Sequence, residues 1–232
     1  MDKKIFIVGT PIGNFNDITL RALETLKMVD IIACEDTRVT IKLLNHFDIK
    51  DKKLISYHNF NEKQSAKGII DLVINKEKNV ALVSDAGMPS ISDPGFELIE
   101  LAKKHSVTLE IIPGVSALTT AITASGLGPN FTFLGFGKNK KNQLENQIKE
   151  LLPGTYILFS APHKVQYLLE IIDKNVKEHI VFLAREMTKK YETFYCGTAN
   201  EVLNQIKSNL KGEITVVLKI LESKKIKLNK YK

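Results

Sequence analysis

Residues 80–95 read VALVSDAGMPSISDPG. The first four residues are apolar, and the turn-forming residues after them predict a short buried strand followed by a long loop. The loop, residues 84–95, contains two Ser-Asp pairs, two glycines and two prolines, and it has no lysine or arginine. A connector of this length is uncommon unless it has a function, so we expect a binding loop. The alternative is an elaborate turn that also caps the helix starting at Phe96.

Strand-type and helix-type segments alternate on both sides of this loop. Short apolar runs that end at Gly, Asp or Pro predict strands, and longer segments of helical period predict helices. In the first half a helix follows each of the first four strands, which is typical of an open, largely parallel sheet. The predicted strands are 5–8, 31–34, 54–57, 80–83 and 109–112, and the helices are 20–29 (capped by Asp17), 39–47, 63–75 and 96–104.

The second half of the chain predicts another α/β domain, with a mixed sheet. Residues 191–196 alternate between apolar and polar in the manner of an antiparallel strand. The predicted strands are 131–136, 155–159, 180–184, 192–196 and 213–220, and the helices are 115–125, 143–151, 164–173 and 199–208. We place the break at Pro113-Gly114. The predicted parts are an N-terminal α/β domain at 1–112, a C-terminal α/β domain at 115–222 and a basic flexible tail at 223–232.

Composition excludes several classes of protein. The chain has 232 residues, 44% hydrophobic and 25% charged, as in an ordinary globular protein. Apolar runs recur throughout, which excludes general disorder, and none approaches the roughly 18 apolar residues of a membrane span. The N-terminal apolar run is too short for a signal peptide, so we expect none. The two cysteines, Cys34 and Cys196, lack a partner motif and indicate the cytoplasm. Five scattered histidines predict no metal site.

Charge is unevenly distributed along the chain. Residues 1–112 carry 15 Lys and Arg against 16 Asp and Glu, whereas residues 113–232 carry 18 against 10. This positive second half predicts a polyanionic partner, such as a nucleic acid. The alternative is a lysine-rich surface that only keeps the protein soluble.

Two further loops follow predicted strands, GTPIGN at 9–14 and PGVSA at 113–117. Ligands of open parallel sheets bind beyond the carboxyl ends of the strands, so these loops are candidates for the same site. The first loop matches neither Gly-x-Gly-x-x-Gly nor a P-loop, although its glycines allow close backbone approach. A phosphate site would favour basic or amide groups. The lysine-free loop 84–95 instead suits a cationic or neutral polar ligand.

Six segments stand in order along the chain: TPIGN (10–14), EDTR (35–38), VSDAGMP (83–89), SDPG (92–95), PGVSA (113–117) and AREMTK (184–189). Together they resemble the tetrapyrrole methylase superfamily, the class III S-adenosylmethionine methyltransferases, from Lys4 to about Leu221. The resemblance implies an S-adenosylmethionine cofactor in a cleft between the two domains. The residues that it assigns to the cofactor are Pro11, Asp85, Ala86, Gly87, Ile91, Ser116 and Ala117, with Ala161 and Ala184 from the second domain.

Within the superfamily, these segments are similar to those of the methylases of small-subunit ribosomal RNA. That resemblance implies methylation of the 2′-hydroxyl of a cytidine in the decoding region of 16S ribosomal RNA. The implied partners are the ribosomal RNA or the assembled 30S subunit, and a second copy of the chain in a homodimer. Large apolar side chains that could face that second copy are Phe131, Phe133 and Phe136.

Two second-half segments depart from the family pattern. Residues 158–164 read LFSAPHK where the family often has FYESPHR, and residues 135–141 read GFGKNKK where the family tends to have GFLP followed by a lysine. Replacing arginine by lysine removes bidentate phosphate recognition but keeps the charge. The RNA-binding candidates are Lys138, Lys140, Lys141, Lys164, Arg185 and Lys189.

A ribose hydroxyl is a poor nucleophile, so a positioned base should assist the reaction. Strand-end candidates are Glu35, Asp36, His163 and Glu186. We favour Glu186 as the catalytic residue because it lies between Ala184 and the basic segments. Its alternative role is structural, as a partner of Arg185 or Lys189. Two other functions remain open at this point: a methylase of corrin or porphyrin precursors, and a non-catalytic RNA-binding protein with a methylase fold.

Overall fold

A computed structural model describes residues 4–206 and 210–222. The chain divides into two compact units that part between Ala117 and Leu118. The division falls after Pro113-Gly114, where the sequence suggested a break, because Gly114 packs against Gly9 inside the first unit. The predicted tail, 223–232, lies outside the described residues.

The first unit contains a five-stranded sheet in the order β3-β2-β4-β1-β5, and every neighbouring pair is parallel. The predicted parallel α/β architecture is therefore confirmed. Its strands are β1 (Lys4–Val8), β2 (Ile31–Cys34), β3 (Lys53–Ser56), β4 (Val80–Val83) and β5 (Thr108–Ile112). Its helices are α1 (Leu20–Met28), α2 (Thr37–His46), α3 (Glu62–Ile74) and α4 (Phe96–Lys104), and α5 (Ala117–Ser125) begins at its last residue.

Helices cover both faces of this sheet, which is why its central strands are apolar without alternation. On one face, β-strand residues such as Ile7 and Leu82 pack with Ile69 of α3 and Leu98 of α4. On the other face, the alternate strand residues pack with α1 and α2; they include Phe6, Val8, Ile32, Cys34, Ala81 and Val83. Cys34 is fully buried there, as a core residue.

The start of α1 differs from the sequence-based expectation. Asp17 ends a 3₁₀ turn, Phe15–Asp17, and does not cap the helix. The cap is Thr19, whose side chain accepts a hydrogen bond from the backbone N–H of Ala22. Threonine and aspartate are both favoured N-cap residues, so residue preference alone could not identify Thr19 as the cap.

The second unit contains the predicted mixed sheet, and its strand order is β6-β7-β10-β8-β9. β6 and β7 are parallel, and the other neighbouring pairs are antiparallel. Its strands are β6 (Thr132–Phe136), β7 (Gly154–Ser160), β8 (His179–Arg185), β9 (Thr193–Gly197) and β10 (Ile214–Ile220). Its further helices are α6 (Lys141–Lys149), α7 (Pro162–Asn175) and α8 (Ala199–Gln205). No helix in the described part of the chain is long and apolar enough to span a membrane.

Candidate functional site

The loops after β1 and β4 are joined by a short backbone bridge. The N–H of Thr10 donates to the carbonyl of Gly87 at 2.9 Å, and the N–H of Gly87 donates back to the carbonyl of Thr10 at 3.1 Å. The Thr10 hydroxyl also donates to the carbonyl of Ser84 at 3.1 Å. Gly87 has a φ of +82°, which favours glycine at this point of the bridge. Two of the loops singled out from the sequence therefore form one structure at the carboxyl edge of the sheet.

The loop after β5 joins the same structure by close backbone packing. A Cβ atom added to Gly9 would lie 2.6 Å from the Met88 sulfur and 2.7 Å from the backbone nitrogen of Gly114. A Cβ added to Gly114 would in turn lie 3.0 Å from the Gly9 backbone. Glycine at both positions lets the loops that follow β1, β4 and β5 pack in direct contact.

Three carboxylates lie near this bridge, at the ends of β2 and β4. The N–H of Asp36 donates to Oδ1 of Asp85 at 3.0 Å. Burial raises the pKa of Glu35, and the charges of Asp85 and Asp36 raise it further against the opposing effect of His58. Arg38 donates to the Asp36 carboxylate and lowers its pKa to about 2. This edge of the first unit is therefore rich in negative charge.

The residues assigned to the cofactor from the first half lie around these loops. Pro11 and Asp85 line one cavity, of only about 20 Å³, together with Thr10, Phe15, Val39, Thr40, Leu43 and Ser84. That volume holds about one water molecule, so a nucleoside-sized ligand has to lie outside it. Gly87 is buried and Ile91 is 44% exposed, between two serines with positive φ. Ala86, Ser116 and Ala117 are half-buried.

The chemistry of this edge fits S-adenosylmethionine. Its sulfonium is cationic, and the loops after β1 and β4 present carboxylates and backbone carbonyls with no lysine or arginine.

Two residues assigned to the cofactor belong to the second unit and have different surroundings. Ala161 lies between β7 and α7 and lines a cavity of about 300 Å³. Lys138 and Lys164, both RNA-binding candidates, line the same cavity. Ala184 lies inside β8 and is fully buried, so its side chain offers no accessible surface to a ligand.

The lysine-rich segment before α6 is exposed. Lys164 Nζ donates to Oδ1 of Asn139 at 2.5 Å, which ties the start of α7 to this segment. The Lys141 ammonium lies 5.0 Å from the centre of the Tyr167 ring, a cation–π contact. Lys140 lies in sequence between Asn139 and Lys141, which make these two contacts with α7. Four of the lysines predicted to bind RNA therefore lie on neighbouring elements: Lys138, Lys140, Lys141 and Lys164.

Glu186, the favoured base, is enclosed by hydrogen bonds. Its Oε1 accepts from Lys189 Nζ at 2.8 Å and from the backbone N–H of Glu213 at 2.8 Å. Burial raises its pKa, but these two hydrogen bonds and the nearby cations outweigh burial and leave the pKa lowered. Lys189 also pairs with Glu213 at 3.2 Å. The carboxylate is thus held ionised as a bridge between two loops.

Arg185 is similarly engaged in local structure. Its Nε donates to the carbonyl of Lys211 at 2.7 Å, and its Nη1 donates to the carbonyl of Tyr191 at 3.1 Å. Two of its donor groups therefore hold the turns that precede β9 and β10, the two strands next to β8.

Sequence reasoning missed Glu62, which organises the far end of loop 84–95. Its Oε1 accepts hydrogen bonds from the N–H groups of Gly95 and Glu97 and from the Tyr57 hydroxyl, at 2.8, 3.3 and 3.1 Å. The N-cap residue of α4 is Gly95, which has no side chain with which to cap the helix. A carboxylate 33 residues earlier does so instead, and no local pattern signals that. Within residues 4–206 and 210–222, no cluster of three or more metal-ligating side chains occurs.

The sequence model of the tetrapyrrole (corrin/porphyrin) methylases matches residues 4–203. The chain belongs to this family. Among its methylase relatives is a protein of Mesomycoplasma conjunctivae named ribosomal RNA small subunit methyltransferase I, which is 49% identical over 100% of this chain and 97% of its own length. A protein of the same name from Thermotoga maritima is 45% identical over 93% of this chain and 97% of its own.

Solved methylase structures share the fold at low sequence identity. Diphthine synthase is 17% identical with a TM-score of 0.70, and the match covers 94% of this chain and 90% of that one. Uroporphyrin-III-C-methyltransferase from Thermus thermophilus is 19% identical with a TM-score of 0.66, covering 92% and 93%. These likenesses confirm the α/β methylase fold of the chain.

Proposed function

We propose that this protein is an S-adenosylmethionine-dependent methyltransferase that methylates the 2′-hydroxyl of a cytidine in the decoding region of 16S ribosomal RNA. The observation that carries the proposal is the likeness to proteins named ribosomal RNA small subunit methyltransferase I, at 49% and 50% identity over nearly the whole of both chains. The substrate is the small-subunit ribosomal RNA, free or assembled in the 30S subunit.

The residues proposed to hold the cofactor belong to the loops that follow β1, β4 and β5, here called the interlocked loops. S-adenosylmethionine supplies an activated methyl group on a cationic sulfur when it is bound. The negative charge of Asp85 and the backbone carbonyls of the loops favour a cation at this edge. The proposed set is Pro11, Asp85, Ala86, Gly87, Ile91, Ser116 and Ala117. Of the two residues assigned from the second half, Ala184 is left out because it is fully buried, and Ala161 lines the cavity that also contains Lys138 and Lys164.

The proposed RNA contacts lie in the second unit. Lys138 and Lys164 line one cavity, and Lys140 and Lys141 are exposed next to it, which supports a basic surface for the phosphate backbone. Arg185 and Lys189 complete the set drawn from the sequence. Their present partners are backbone carbonyls and carboxylates, so we assign the larger part of phosphate binding to the four lysines.

Two carboxylates compete for the role of proton acceptor from the ribose hydroxyl. A base works best when its pKa lies near the working pH. The pKa of Glu35 is raised by burial and by neighbouring carboxylates, whereas that of Glu186 is lowered by its hydrogen-bonding partners. We therefore propose Glu35 as the proton acceptor, and a structural role for Glu186 in place of the catalytic one favoured from the sequence.

We also propose a homodimer and a cytoplasmic location. Phe136 is 60% exposed, and the ring of Phe159 lies 5.5 Å from its ring and 5.0 Å from the ring of Phe133. This aromatic surface suits a second copy of the chain. Both cysteines are free thiols, which suits a reducing compartment.

The test is transfer of a labelled methyl group from S-adenosylmethionine to 30S subunits or free 16S RNA prepared from cells lacking the gene. We expect one 2′-O-methyl cytidine, mapped by resistance of its 3′ phosphodiester to alkali. Cofactor binding by calorimetry without transfer to RNA or to a porphyrin precursor would indicate another substrate. Absence of cofactor binding, with RNA binding retained, would indicate a non-catalytic RNA-binding protein.

A further inference from the structure

The turn between β3 and α3 holds an aromatic side chain entirely in solvent. Phe60 is 99% exposed, the largest exposure among the large apolar side chains of the described residues. Burying a phenylalanine stabilises a protein by about 1.5–3 kcal/mol, so a fully exposed one forgoes that stabilisation. Single exposed apolar side chains are common on protein surfaces, so the groups around Phe60 decide whether it forms a contact surface.

The turn that carries Phe60 is rigidly held. The N–H of His58 donates to Oδ1 of Asn61 at 2.8 Å, and the N–H of Asn61 donates to the carbonyl of His58 at 2.9 Å. Asn61 Nδ2 also donates to the carbonyl of Ser56 at 3.2 Å. The His58 ring lies edge-on to Phe60, with ring centres 6.0 Å apart. The hydrogen-bonded backbone therefore directs Phe60 outward, and binding a partner has to order the Phe60 side chain but not the turn.

Two exposed lysines continue from Phe60 along α3. Lys63 lies in the first turn of the helix with its side chain 82% exposed, and its ammonium is 3.9 Å from Oε1 of Glu97, a surface ion pair of low energy that a phosphate can replace. Lys67 lies one turn further on and is also exposed. Residues four apart lie on the same helix face, about 6 Å apart. Phe60, Lys63 and Lys67, here called the Phe60 surface, thus combine a stacking platform with two cations.

We propose that the Phe60 surface binds a single-stranded segment of the substrate RNA, with a nucleobase stacked on Phe60 and phosphates near Lys63 and Lys67. Aromatic stacking beside basic side chains is the usual chemistry of single-strand recognition. The surface begins at the carboxyl end of β3, and β3 is next to β2, whose end carries Glu35 and Asp36. The inference rests on the proposed RNA substrate.

A second copy of the chain fits this surface less well. In a twofold contact the same patch meets itself, so Lys63 and Lys67 would face the like charges of their counterparts. RNA instead supplies the opposite charge. The contact with a second copy is therefore the competing outcome of the experiment.

The experiment measures binding of fluorescently labelled, unmodified small-subunit ribosomal RNA to Phe60→Ala and Phe60→Trp at several salt concentrations. We expect Phe60→Ala to weaken RNA affinity about tenfold and Phe60→Trp to stay within about threefold of the wild type, because tryptophan also stacks. Met28→Ala, which shortens another exposed apolar side chain of this unit, serves as the control and should leave RNA affinity unchanged.

The lysines have a matched control at the other edge of the sheet. Lys63→Ala with Lys67→Ala should reduce the slope of log affinity against log salt by about 1.4, or roughly 0.7 per phosphate contact. Lys103→Ala with Lys104→Ala removes the same charge from the far end of α4 and should leave the slope unchanged.

Each outcome discriminates. Unchanged RNA affinity of Phe60→Ala, in a protein that methylates RNA, overturns this inference and leaves the proposed function standing. If light scattering gives Phe60→Ala a smaller oligomer mass than the wild type, and RNA affinity is unchanged, then Phe60 contacts a second copy of the chain and the inference is overturned. A wild-type protein that neither binds nor methylates the RNA overturns both proposals. Calorimetry with S-adenosylmethionine should show equal affinity in all variants and so verifies that each is folded.

Discussion

The backbone N–H of Asp36 donates a hydrogen bond to the carboxylate Oδ1 of Asp85 at 3.0 Å, although 49 positions separate the two residues in the sequence. The bond joins the end of β2 to the end of β4, which are neighbours in the sheet. It fixes the Asp85 carboxylate at the carboxyl edge and keeps it close enough to Glu35 to raise the pKa of that side chain. The charge of Asp85 is therefore held in one place by the fold itself.

Replacing Asp85 by Asn should weaken binding of S-adenosylmethionine by about tenfold. The amide oxygen can still accept from Asp36, so the loop keeps its geometry, but the negative charge that favours a cationic ligand is lost. Since the charge of Asp85 raises the pKa of Glu35, its removal should also lower that pKa. Calorimetry measures the affinity and carboxyl carbon NMR measures the pKa. Equal affinity in variant and wild type would place the cofactor elsewhere.

Replacing Gly9 by Ala should reduce both stability and cofactor affinity. The new methyl group would lie 2.6 Å from the Met88 sulfur and 2.7 Å from the Gly114 nitrogen, so the three loops would have to separate. Overpacking of this kind costs about 1–3 kcal/mol. Thermal unfolding and calorimetry test the two effects.

Gly68→Ala is the matched control for that change. Gly68 lies in α3 with no atom within 4 Å of an added Cβ, so alanine should stabilise the helix by up to about 1 kcal/mol. Should Gly9→Ala melt at the wild-type temperature and bind the cofactor normally, the interlocked loops would not be the cofactor site.

Replacing Glu35 by Gln should lower kcat by about 100-fold, with little change in cofactor affinity, because the amide cannot accept the proton from the ribose hydroxyl. The measurement is methyl transfer to 30S subunits at saturating RNA. The wild-type rate should rise with pH as Glu35 ionises, whereas the variant rate should lack that rise. A variant with the wild-type rate would show that Glu35 is not the proton acceptor.

Replacing Glu186 by Gln should act on stability. The pKa of Glu186 is lowered in the folded protein, so its ionisation stabilises the fold above its usual pKa of 4.5, and that contribution is lost as pH falls through the lowered value. We expect a loss of about 1.5–3 kcal/mol in the free energy of unfolding at pH 7, the usual effect of losing a hydrogen bond to a charged group.

The pH dependence separates this role from catalysis. The stability difference between Glu186→Gln and the wild type should start to shrink near pH 4.5, where the carboxylate of the unfolded chain takes up a proton, and should go on shrinking until the pH passes the lowered pKa of the folded protein. Denaturant unfolding at pH 7 and pH 3.5 measures it. A rate loss of 100-fold at pH 7 without a stability loss would restore Glu186 as the catalytic residue.

Replacing Lys138, Lys140 and Lys141 together by Ala should weaken RNA binding and reduce the salt slope by about 2, if each lysine neutralises one phosphate of a single strand. Cofactor affinity, measured by calorimetry, should not change, because the cofactor is proposed to bind at the acidic loops of the first unit. An unchanged salt slope would indicate that these lysines serve solubility only.

The sequence by itself determined most of the secondary structure and the chemistry of the loops. β2, β4 and α4 have the bounds predicted for them, 31–34, 80–83 and 96–104, because apolar runs ended by turn residues or charged segments are local signals. The parallel first sheet and the mixed second sheet also followed from local pattern. The cap of α1 did not, because Asp17 and Thr19 have similar local preference and only the backbone path separates them.

Only the tertiary structure decided which distant groups meet. The strand order β3-β2-β4-β1-β5 places Asp36 beside Asp85 and leaves Gly9 in contact with Gly114. Glu62 reaches the N–H of Gly95, and Lys189 with the N–H of Glu213 holds Glu186 ionised. These contacts join residues on separate strands and loops, so their energies depend on how the elements pack and leave no periodic signal along the chain.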